Sequence, residues 1–340
     1  MQVFYNAGEQ AYAPERSFFT GRFTPYPEVP GRTQALLAWV QAQPTLTLET
    51  PPPVTREALT AVHDPGYVDT MAELCAKLQP EEAFFPFNMQ HAPLLLRSPY
   101  PRIRMGYYAL DGSTPLVPAS HATALSAAAT AQAGAQALLD GARHAYCLMR
   151  PPGHHAGRDT FGGYCLFNNA AVAAGLLAGQ GKVAILDVDY HHGNGTQDIF
   201  FDRDDVLYVS LHCRPEEAYP YIAGAADEAG AGPGRGCNLN LPLPGGTDWA
   251  AYGPALETAC EAIARFDPAT VVVSLGFDAL ATDPIGSFRL QPPDFTPLAQ
   301  RIAQLGRPLL VVQEGGYDVP RLGACALAFF AGLGLSGAQD

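Results

Sequence analysis

Three polar residues occupy alternate positions where an apolar run ends: Asp187, Asp189 and His191. Side chains at i and i+2 of an extended segment point to the same side, so two carboxylates and an imidazole converge at a strand end. Gly193 and Gly195 follow closely and allow the backbone to turn sharply around them. The pattern predicts a metal site. The alternative, an Asp-rich loop that caps the next helix, is less favoured because it leaves Asp187 and His191 half-buried without partners.

Asp278, just after the apolar run 270–275, is the best candidate for a third ligand. Two carboxylates and one imidazole leave a divalent ion with open positions for water and substrate, which is typical of a catalytic site. Zn²⁺ is the first choice of ion. Because an oxygen-rich set is harder than a set of cysteines or three histidines, it also accepts Fe²⁺, Co²⁺ or Mn²⁺. We therefore predict one divalent ion on Asp189, His191 and Asp278.

The tandem histidines His154 and His155 follow Pro-Pro-Gly, a rigid turn that can aim both imidazoles at one pocket. Histidine titrates near neutral pH, which suits general acid and base work, and a partner side chain can tune each ring. Asp187 is the candidate partner of His154, and Asn194 is the candidate partner of His155. A histidine pair on its own is more often structural, but its combination with the metal motif favours a catalytic role.

Tyr317 follows Gly315 and Gly316, a flexible pair that lets the phenol reach into a pocket. A phenolic hydroxyl opposite the metal can stabilise the oxyanion of a tetrahedral intermediate. The alternative is a core tyrosine with an ordinary hydrogen bond. We favour the oxyanion role because Tyr317 lies at a predicted strand end, as the other candidates do.

Five short apolar runs predict buried strands at residues 145–149, 183–187, 206–211, 270–275 and 308–313. Helical patterns alternate with them at residues 121–139, 168–177, 249–266 and 293–305. This alternation predicts an α/β fold with a mainly parallel sheet and helices on both faces. Ligands of such sheets bind beyond the carboxyl ends of the strands. One rim of the sheet should therefore collect the candidate residues.

The composition predicts a single domain and argues against several classes of function. The chain has 340 residues, 48% of them apolar, and no linker divides it, so we predict a single catalytic domain over residues 1–340. A net charge of −13 with only 20 Lys and Arg argues against nucleic-acid binding and favours a cationic substrate. The seven cysteines form no C-x-x-C pair, which argues against a thiolate zinc site. Without a signal peptide or long apolar stretch, we expect no membrane association and a cytoplasmic location.

Six segments resemble the signature motifs of the histone deacetylase superfamily, and Arg32 and residues 63–67 extend the resemblance over nearly the whole chain. The six are RPPGHHAG (150–157), GGYCLFNN (162–169), DVDYHHGNGTQDIF (187–200), SLH (210–212), LGFDALATDP (275–284) and EGGY (314–317). Within the superfamily the chain is most similar to the bacterial acetylpolyamine amidohydrolases. It shares with them a compact length and an N-terminal strand that resembles Val-Phe-Tyr. It also shares an insertion rich in proline and aromatic residues at 84–108 and the tripeptide Asp-Pro-Ile that ends at Ile285.

The resemblance implies an arginase/deacetylase-type three-layer fold, with zinc on the same three ligands. It also implies that His154 and His155 form an acid/base pair, the second usually being the base and then the acid, and that Tyr317 polarises the scissile carbonyl. The residues that it implies for the acyl-lysine channel are Gly163, Tyr164, Tyr219 and Ile285. It implies one structural monovalent cation, usually K⁺, at Asp187, Asp189, His191, Ser210 and Leu211, and a second at Phe200, Arg203 and Val206.

Two features depart from the family pattern. Asn194 replaces an aspartate of many relatives, so the partner of His155 is neutral and the pKa of that histidine is raised less. The acidic residues that polyamine-selective members place around the pocket mouth correspond here to Ser17, Arg102 and Ser113. Candidate substitutes, each of which could also be an ordinary solvated charge, are Glu15, Asp111, Glu216 and Glu217.

The sequence thus predicts a zinc-dependent amidohydrolase that removes acetyl groups from acetylated polyamines or other small acetylated primary amines. Acetyl-lysine in peptides is the second choice of substrate. A binuclear ureohydrolase on the same fold would need more Asp and His ligands, and a non-catalytic acyl-lysine binding module would need neither the histidine pair nor Tyr317.

The insertion Phe84–Arg97 is too apolar for an exposed loop, so we predict a homodimer in which it packs against the other subunit.

Overall fold

The computed structural model describes residues 1–335, in which ten strands and ten α-helices are found. The strands are β1 (Gln2–Phe4), β2 (Arg16–Phe19), β3 (Arg22–Pro25), β4 (Thr47–Glu49), β5 (His144–Cys147), β6 (Val183–Asp187), β7 (Val206–Cys213), β8 (Asn238–Leu243), β9 (Thr270–Leu275) and β10 (Leu309–Gln313). The helices are α1 (Gly31–Gln41), α2 (Arg56–Thr60), α3 (Pro65–Cys75), α4 (Pro101–Tyr108), α5 (Ser120–Leu139), α6 (Asn169–Leu177), α7 (Asn194–Phe200), α8 (Trp249–Phe266), α9 (Phe295–Ala303) and α10 (Val319–Gly332).

Eight strands form one sheet in the order β4-β1-β5-β10-β9-β6-β7-β8, and every neighbouring pair is parallel. Its central strands β6, β9 and β10 are buried along their whole length. Continuous apolar strands are typical of parallel sheets that are covered on both faces. The predicted parallel sheet is confirmed, and β2 and β3 form a separate antiparallel hairpin.

The two faces of the sheet carry separate hydrophobic cores. Along β6, Val183 and Ile185 pack with α5 and α6, whereas Ala184 and Leu186 pack with α8, α9 and α10. This alternation follows the two-residue period of a strand. The result is a three-layer α/β structure with helices on both sides of the sheet, as predicted. No helix within residues 1–335 is both long and apolar enough to cross a membrane.

The strand order explains how the candidate residues meet. Strands β5, β10, β9 and β6 are consecutive neighbours in the sheet, and all four run in the same direction. The histidine pair follows β5, Tyr317 follows β10, Asp278 follows β9, and the Asp/His motif follows β6. Four adjacent strand ends therefore deliver their side chains to one rim, as expected for a ligand site of a parallel sheet.

Candidate active site

Asp189, His191 and Asp278 form a compact trio at this rim. Each contributes one ligand atom, and these atoms all lie within 4.8 Å of one another. His191 Nδ1 lies 3.0 Å from Asp278 Oδ2 and 3.3 Å from Asp189 Oδ1. Both carboxylates are buried, whereas the imidazole reaches the adjoining cavity. One small cation placed between the three atoms would contact all of them.

Main-chain N–H groups hold the two carboxylates in place. Tyr190 N donates to Asp278 Oδ1 at 2.9 Å, and Gly315 N donates to Asp189 Oδ2 at 2.8 Å. A Cβ atom at Gly315 would collide with both carboxylates, and one at Gly276 would collide with that of Asp189. Glycine is therefore required at both strand ends, because any side chain there would fill the space between the ligand atoms.

The charges of the trio are those that a divalent cation would balance. Burial raises the pKa of Asp278 to about 7, and the neighbouring Asp189 carboxylate adds to this rise. Burial favours neutral His191, but hydrogen bonds to Asp189 and Asp278 outweigh it and raise the imidazole pKa to about 9. Two carboxylates this close repel each other in a buried place, and a bound cation removes that repulsion. The donor set fits the metal that the sequence predicts.

His154 and His155 lie side by side beside this trio, with ring centroids 4.0 Å apart. His154 Nδ1 donates to Asp187 Oδ2 at 3.1 Å, and the same oxygen accepts a hydrogen bond from the Tyr208 hydroxyl. His155 Nδ1 donates to Asn194 Oδ1 at 2.8 Å. These are the two partners that the sequence analysis proposed. Each Nδ1 is thus engaged. His154 Nε2 lies 3.7 Å from Asp189 Oδ1, whereas His155 lines the adjoining cavity, where its Nε2 is available to a substrate or a water molecule.

The two histidines differ in charge because their partners differ. Burial lowers the pKa of His155, and the nearby His154 and His191 lower it further, to well below its usual value. Burial also acts on His154, but the carboxylates of Asp189 and Asp187 outweigh it and raise its pKa to about 10. His155 is therefore the neutral ring of the pair, and its free Nε2 can accept a proton.

Tyr317 is held in place from both sides. Its main-chain N–H donates to Asp283 Oδ2 at 2.7 Å, and the Arg32 guanidinium lies over its ring, 4.7 Å from the centroid. Gly316 adopts a φ of 119°, a conformation that glycine allows and that turns the chain back toward the pocket. Burial raises the pKa of the phenol well above 10. The hydroxyl consequently keeps its proton and can donate a hydrogen bond.

A cavity of about 170 Å³ leads from the surface to these groups. His155, His191 and Tyr317 line it together with the four predicted channel residues, Gly163, Tyr164, Tyr219 and Ile285. The rings of Tyr219 and His155 stand perpendicular, with centroids 4.7 Å apart. Sequence reasoning missed four further lining residues, which are Phe19, Tyr190, Ala218 and Tyr221. The cavity is thus a narrow, largely aromatic channel with polar groups at its inner end.

The sequence profile of the histone deacetylase domain matches residues 26–333. The chain belongs to this family. It is 40% identical to acetylpolyamine amidohydrolase 1 of Pseudomonas aeruginosa, with 96% of this chain and 97% of that protein covered. It is also 40% identical to the acetylpolyamine amidohydrolase of Mycoplana ramosa, with 95% of this chain and 96% of that protein covered. The crystal structure of acetylpolyamine aminohydrolase from Burkholderia pseudomallei superposes with a TM-score of 0.93 at 37% identity, over 99% of this chain and all of that one. The arginase/deacetylase-type fold is thereby confirmed.

The residues that the histone deacetylase resemblance implies for monovalent cations lie in two groups. Asp187 and Ser210 are paired across β6 and β7, and Leu211 follows Ser210 in a fully buried strand. The second group lies where α7 connects to β7, where Arg203 N donates to Phe200 O at 3.0 Å. Val206, the last member of that group, begins β7. The structure brings the members of each group together, and their role as cation ligands stays a prediction.

The channel mouth contains few acidic residues. Ser17 donates to Ser113 O, and Arg102 is paired with Glu82 outside the channel lining. Asp111 accepts hydrogen bonds from the Tyr219 hydroxyl and from Gly163 N, so its carboxylate supports the channel wall from behind. Of the four candidate acidic substitutes, only one lines the channel within the part of the chain described, and it is Glu217.

Proposed function

We propose that this chain is a deacetylase that hydrolyses the acetylamide bond of acetylated polyamines or related small acetylated primary amines, with residues 1–340 acting as one catalytic domain. The observation that carries the proposal is a narrow aromatic channel that ends at His155, His191 and Tyr317. A channel of about 170 Å³ suits a slim acetylated aminoalkyl chain. The relatives named acetylpolyamine amidohydrolases match nearly the full length of the chain, which supports this substrate class.

Asp189, His191 and Asp278 would hold the catalytic metal, with Zn²⁺ as the first choice and Fe²⁺ or Co²⁺ as alternatives. Their clustered ligand atoms and the space left by the two strand-end glycines support this assignment. When bound, such an ion supplies Lewis-acid polarisation of the scissile carbonyl and lowers the pKa of water. We also propose structural K⁺ at the group around Asp187 and Ser210, where buried oxygen-bearing residues meet.

The chain's own residues perform the proton transfers. His155 accepts a proton from the attacking water as the C–O bond forms, and returns it to the nitrogen as the C–N bond breaks, which releases acetate and the amine. His154, fixed by Asp187, contributes positive charge beside the reacting carbonyl. The Tyr317 hydroxyl donates a hydrogen bond to the developing oxyanion. The aromatic channel walls exclude bulk water, and the Gly163 carbonyl is the proposed acceptor for the substrate amide N–H.

A substrate panel tests this function. Acetate release should be measured with acetylputrescine, acetylcadaverine, acetylspermidine and an acetyl-lysine peptide. We expect the highest kcat/KM for one of the small acetylated amines. A preference for the acetyl-lysine peptide would favour the histone deacetylase-like alternative. A lack of turnover with every compound by metal-loaded protein would contradict the deacetylase and favour the non-catalytic binding module.

Glu217 is the residue that we expect to recognise the distal ammonium group of such a substrate. Its side chain is 42% exposed at the channel mouth and is held by a hydrogen bond from Gly245 N. Glu217→Gln should lower kcat/KM for acetylputrescine about two- to five-fold, because the variant loses the free energy of one exposed ion pair. It should not affect N-butylacetamide, the neutral analogue. The matched control is Glu216→Gln, because Glu216 is exposed but does not line the channel. An equal loss on both compounds would contradict recognition of charge.

We further propose that the chain forms a homodimer through the insertion Phe84–Arg97. Four of its large apolar side chains are exposed in the single chain, among them Met89 at 55% and Leu94 at 71%. Several exposed apolar side chains in one segment are typical of an interface. A second copy would cover them and narrow the channel mouth, which excludes acetyl-lysine on folded proteins.

Changing both Met89 and Leu94 to glutamate should therefore give a monomer, because two buried charges would destabilise the interface. Analytical ultracentrifugation at micromolar concentration measures the change. The control is Leu327→Glu, since Leu327 is also exposed but lies on α10. A wild-type protein that sediments as a monomer would refute the dimer.

The cytoplasmic location and the absence of nucleic-acid partners stay predictions.

A further inference from the structure

Glu314 is a buried carboxylic acid with no part in the chemistry described above. It follows β10 directly and is 1% exposed. Its Oε2 accepts a hydrogen bond from Gly153 N at 2.6 Å and another from His154 N at 3.2 Å. Its Oε1 has no hydrogen-bond partner among the described residues. A buried polar oxygen without a partner destabilises a protein, so packing alone does not account for an acid here.

The two N–H groups that Glu314 accepts belong to the turn that aims the catalytic histidines. On the carbonyl side, this turn is held by α7, because Gly195 N and Thr196 N both donate to His154 O. On the N–H side, Glu314 Oε2 is the one acceptor that the structure gives to Gly153 and His154 within residues 1–335. Buried main-chain donors need such an acceptor. Glu314 therefore completes the support of the turn.

The Glu314 main chain is fixed independently of its side chain. Its N–H donates to Leu275 O at 2.9 Å, and its carbonyl accepts a hydrogen bond from Arg32. The following residue, Gly315, donates to Asp189. Removing the carboxyl group should therefore leave the end of β10 and the metal ligands in place. Only the turn that carries the histidines loses a contact.

We propose that Glu314 is a positioning residue, which accepts the Gly153 and His154 N–H groups and thereby sets the direction of the histidine pair. It does not touch the substrate. Asp187 fixes the His154 ring at Nδ1, whereas Glu314 fixes the main chain from which both rings project. The inference rests on the proposed function for its effect on rate, but its hydrogen bonds can be measured without turnover.

Two variants of the metal-loaded protein separate this role from general stability. Glu314→Ala removes the acceptor, whereas Glu314→Gln keeps an oxygen that can accept both N–H groups. We expect the alanine variant to lose about 10- to 100-fold in kcat for acetylputrescine, because a displacement of about 1 Å can reduce the rate by that much. Its KM and metal content should be unchanged. The glutamine variant should stay close to the wild type in kcat. The control is Ile263→Ala, a buried truncation on α8 that lowers the Tm without touching the turn.

Selective ¹⁵N labelling of histidine gives a readout that does not depend on activity. The His154 amide signal should shift and exchange faster in Glu314→Ala, and should keep its wild-type position in Glu314→Gln. An unchanged kcat and amide signal in the alanine variant would overturn the inference. Equal rate losses in both variants would also overturn it, because acceptance of the N–H groups would then not be the cause. If the wild type turns over no acetylated amine, the proposed function fails, and the amide signals alone decide the role of Glu314.

Discussion

A variant in which Asp278 is changed to asparagine should lose its divalent metal and most of its deacetylase activity. The substitution replaces a carboxylate of the trio with a neutral amide and removes one of its two charged ligand groups. Loss of the metal removes several kcal/mol of transition-state stabilisation, which corresponds to a fall in kcat of about 10³-fold or more. Elemental analysis after exhaustive dialysis should find about one transition-metal ion per wild-type chain and far less in the variant.

The control for this variant is Asp248→Asn. Asp248 caps the N-terminus of α8 by accepting a hydrogen bond from Ala251 N, and asparagine caps helices equally well. This variant loses the same charge but should keep its metal and its kcat. Full metal content in Asp278→Asn would reject Asp278 as a ligand. Two transition-metal ions per wild-type chain would instead favour the binuclear ureohydrolase.

The rim of the sheet could be predicted from the sequence because its signals are local. Apolar runs of five or six residues identified β6, β9 and β10, and the polar residues directly after them had to lie at strand ends. Strand periodicity then placed Asp187, Asp189 and His191 on one side. The helical period of its apolar residues gave α8 its bounds. The α9 helix begins two residues later than predicted, because Pro292–Asp294 forms a separate 3₁₀ turn.

The channel mouth could not be predicted in the same way, because distant segments build it. Phe19 reaches it from the β2–β3 hairpin, and Ser113 lies almost a hundred residues further along the chain. No periodicity links such residues before the chain folds. The edge strands β4 and β8 were missed because they are short or only partly buried, so their apolar patterns are weak. The contact between Glu314 and the histidine turn could not be predicted either, since it joins the ends of two strands, β10 and β5, that are far apart in the sequence.

Tyr317→Phe should lower kcat by about 10²–10³-fold, the usual effect of removing one oxyanion donor. The phenylalanine ring can keep the contact with Arg32, and the main-chain hydrogen bond to Asp283 does not involve the side chain. The variant therefore differs from the wild type chiefly in one hydroxyl group at the inner end of the channel. Metal content and the Tm should stay close to those of the wild type, and KM should change little.

Tyr164→Phe makes the same change in the same channel, because the rings of Tyr164 and Tyr317 lie 5.9 Å apart. The Tyr164 ring packs edge-on against that of Tyr26, with centroids 5.2 Å apart, so we expect its hydroxyl to belong to the channel wall and not to bind the oxyanion. Its loss should therefore have a small effect on kcat. Steady-state kinetics on acetylputrescine would compare the two variants directly. Similar rates for both would show that Tyr317 contributes only a channel wall, and the oxyanion would then have to be stabilised without a hydrogen bond from this tyrosine.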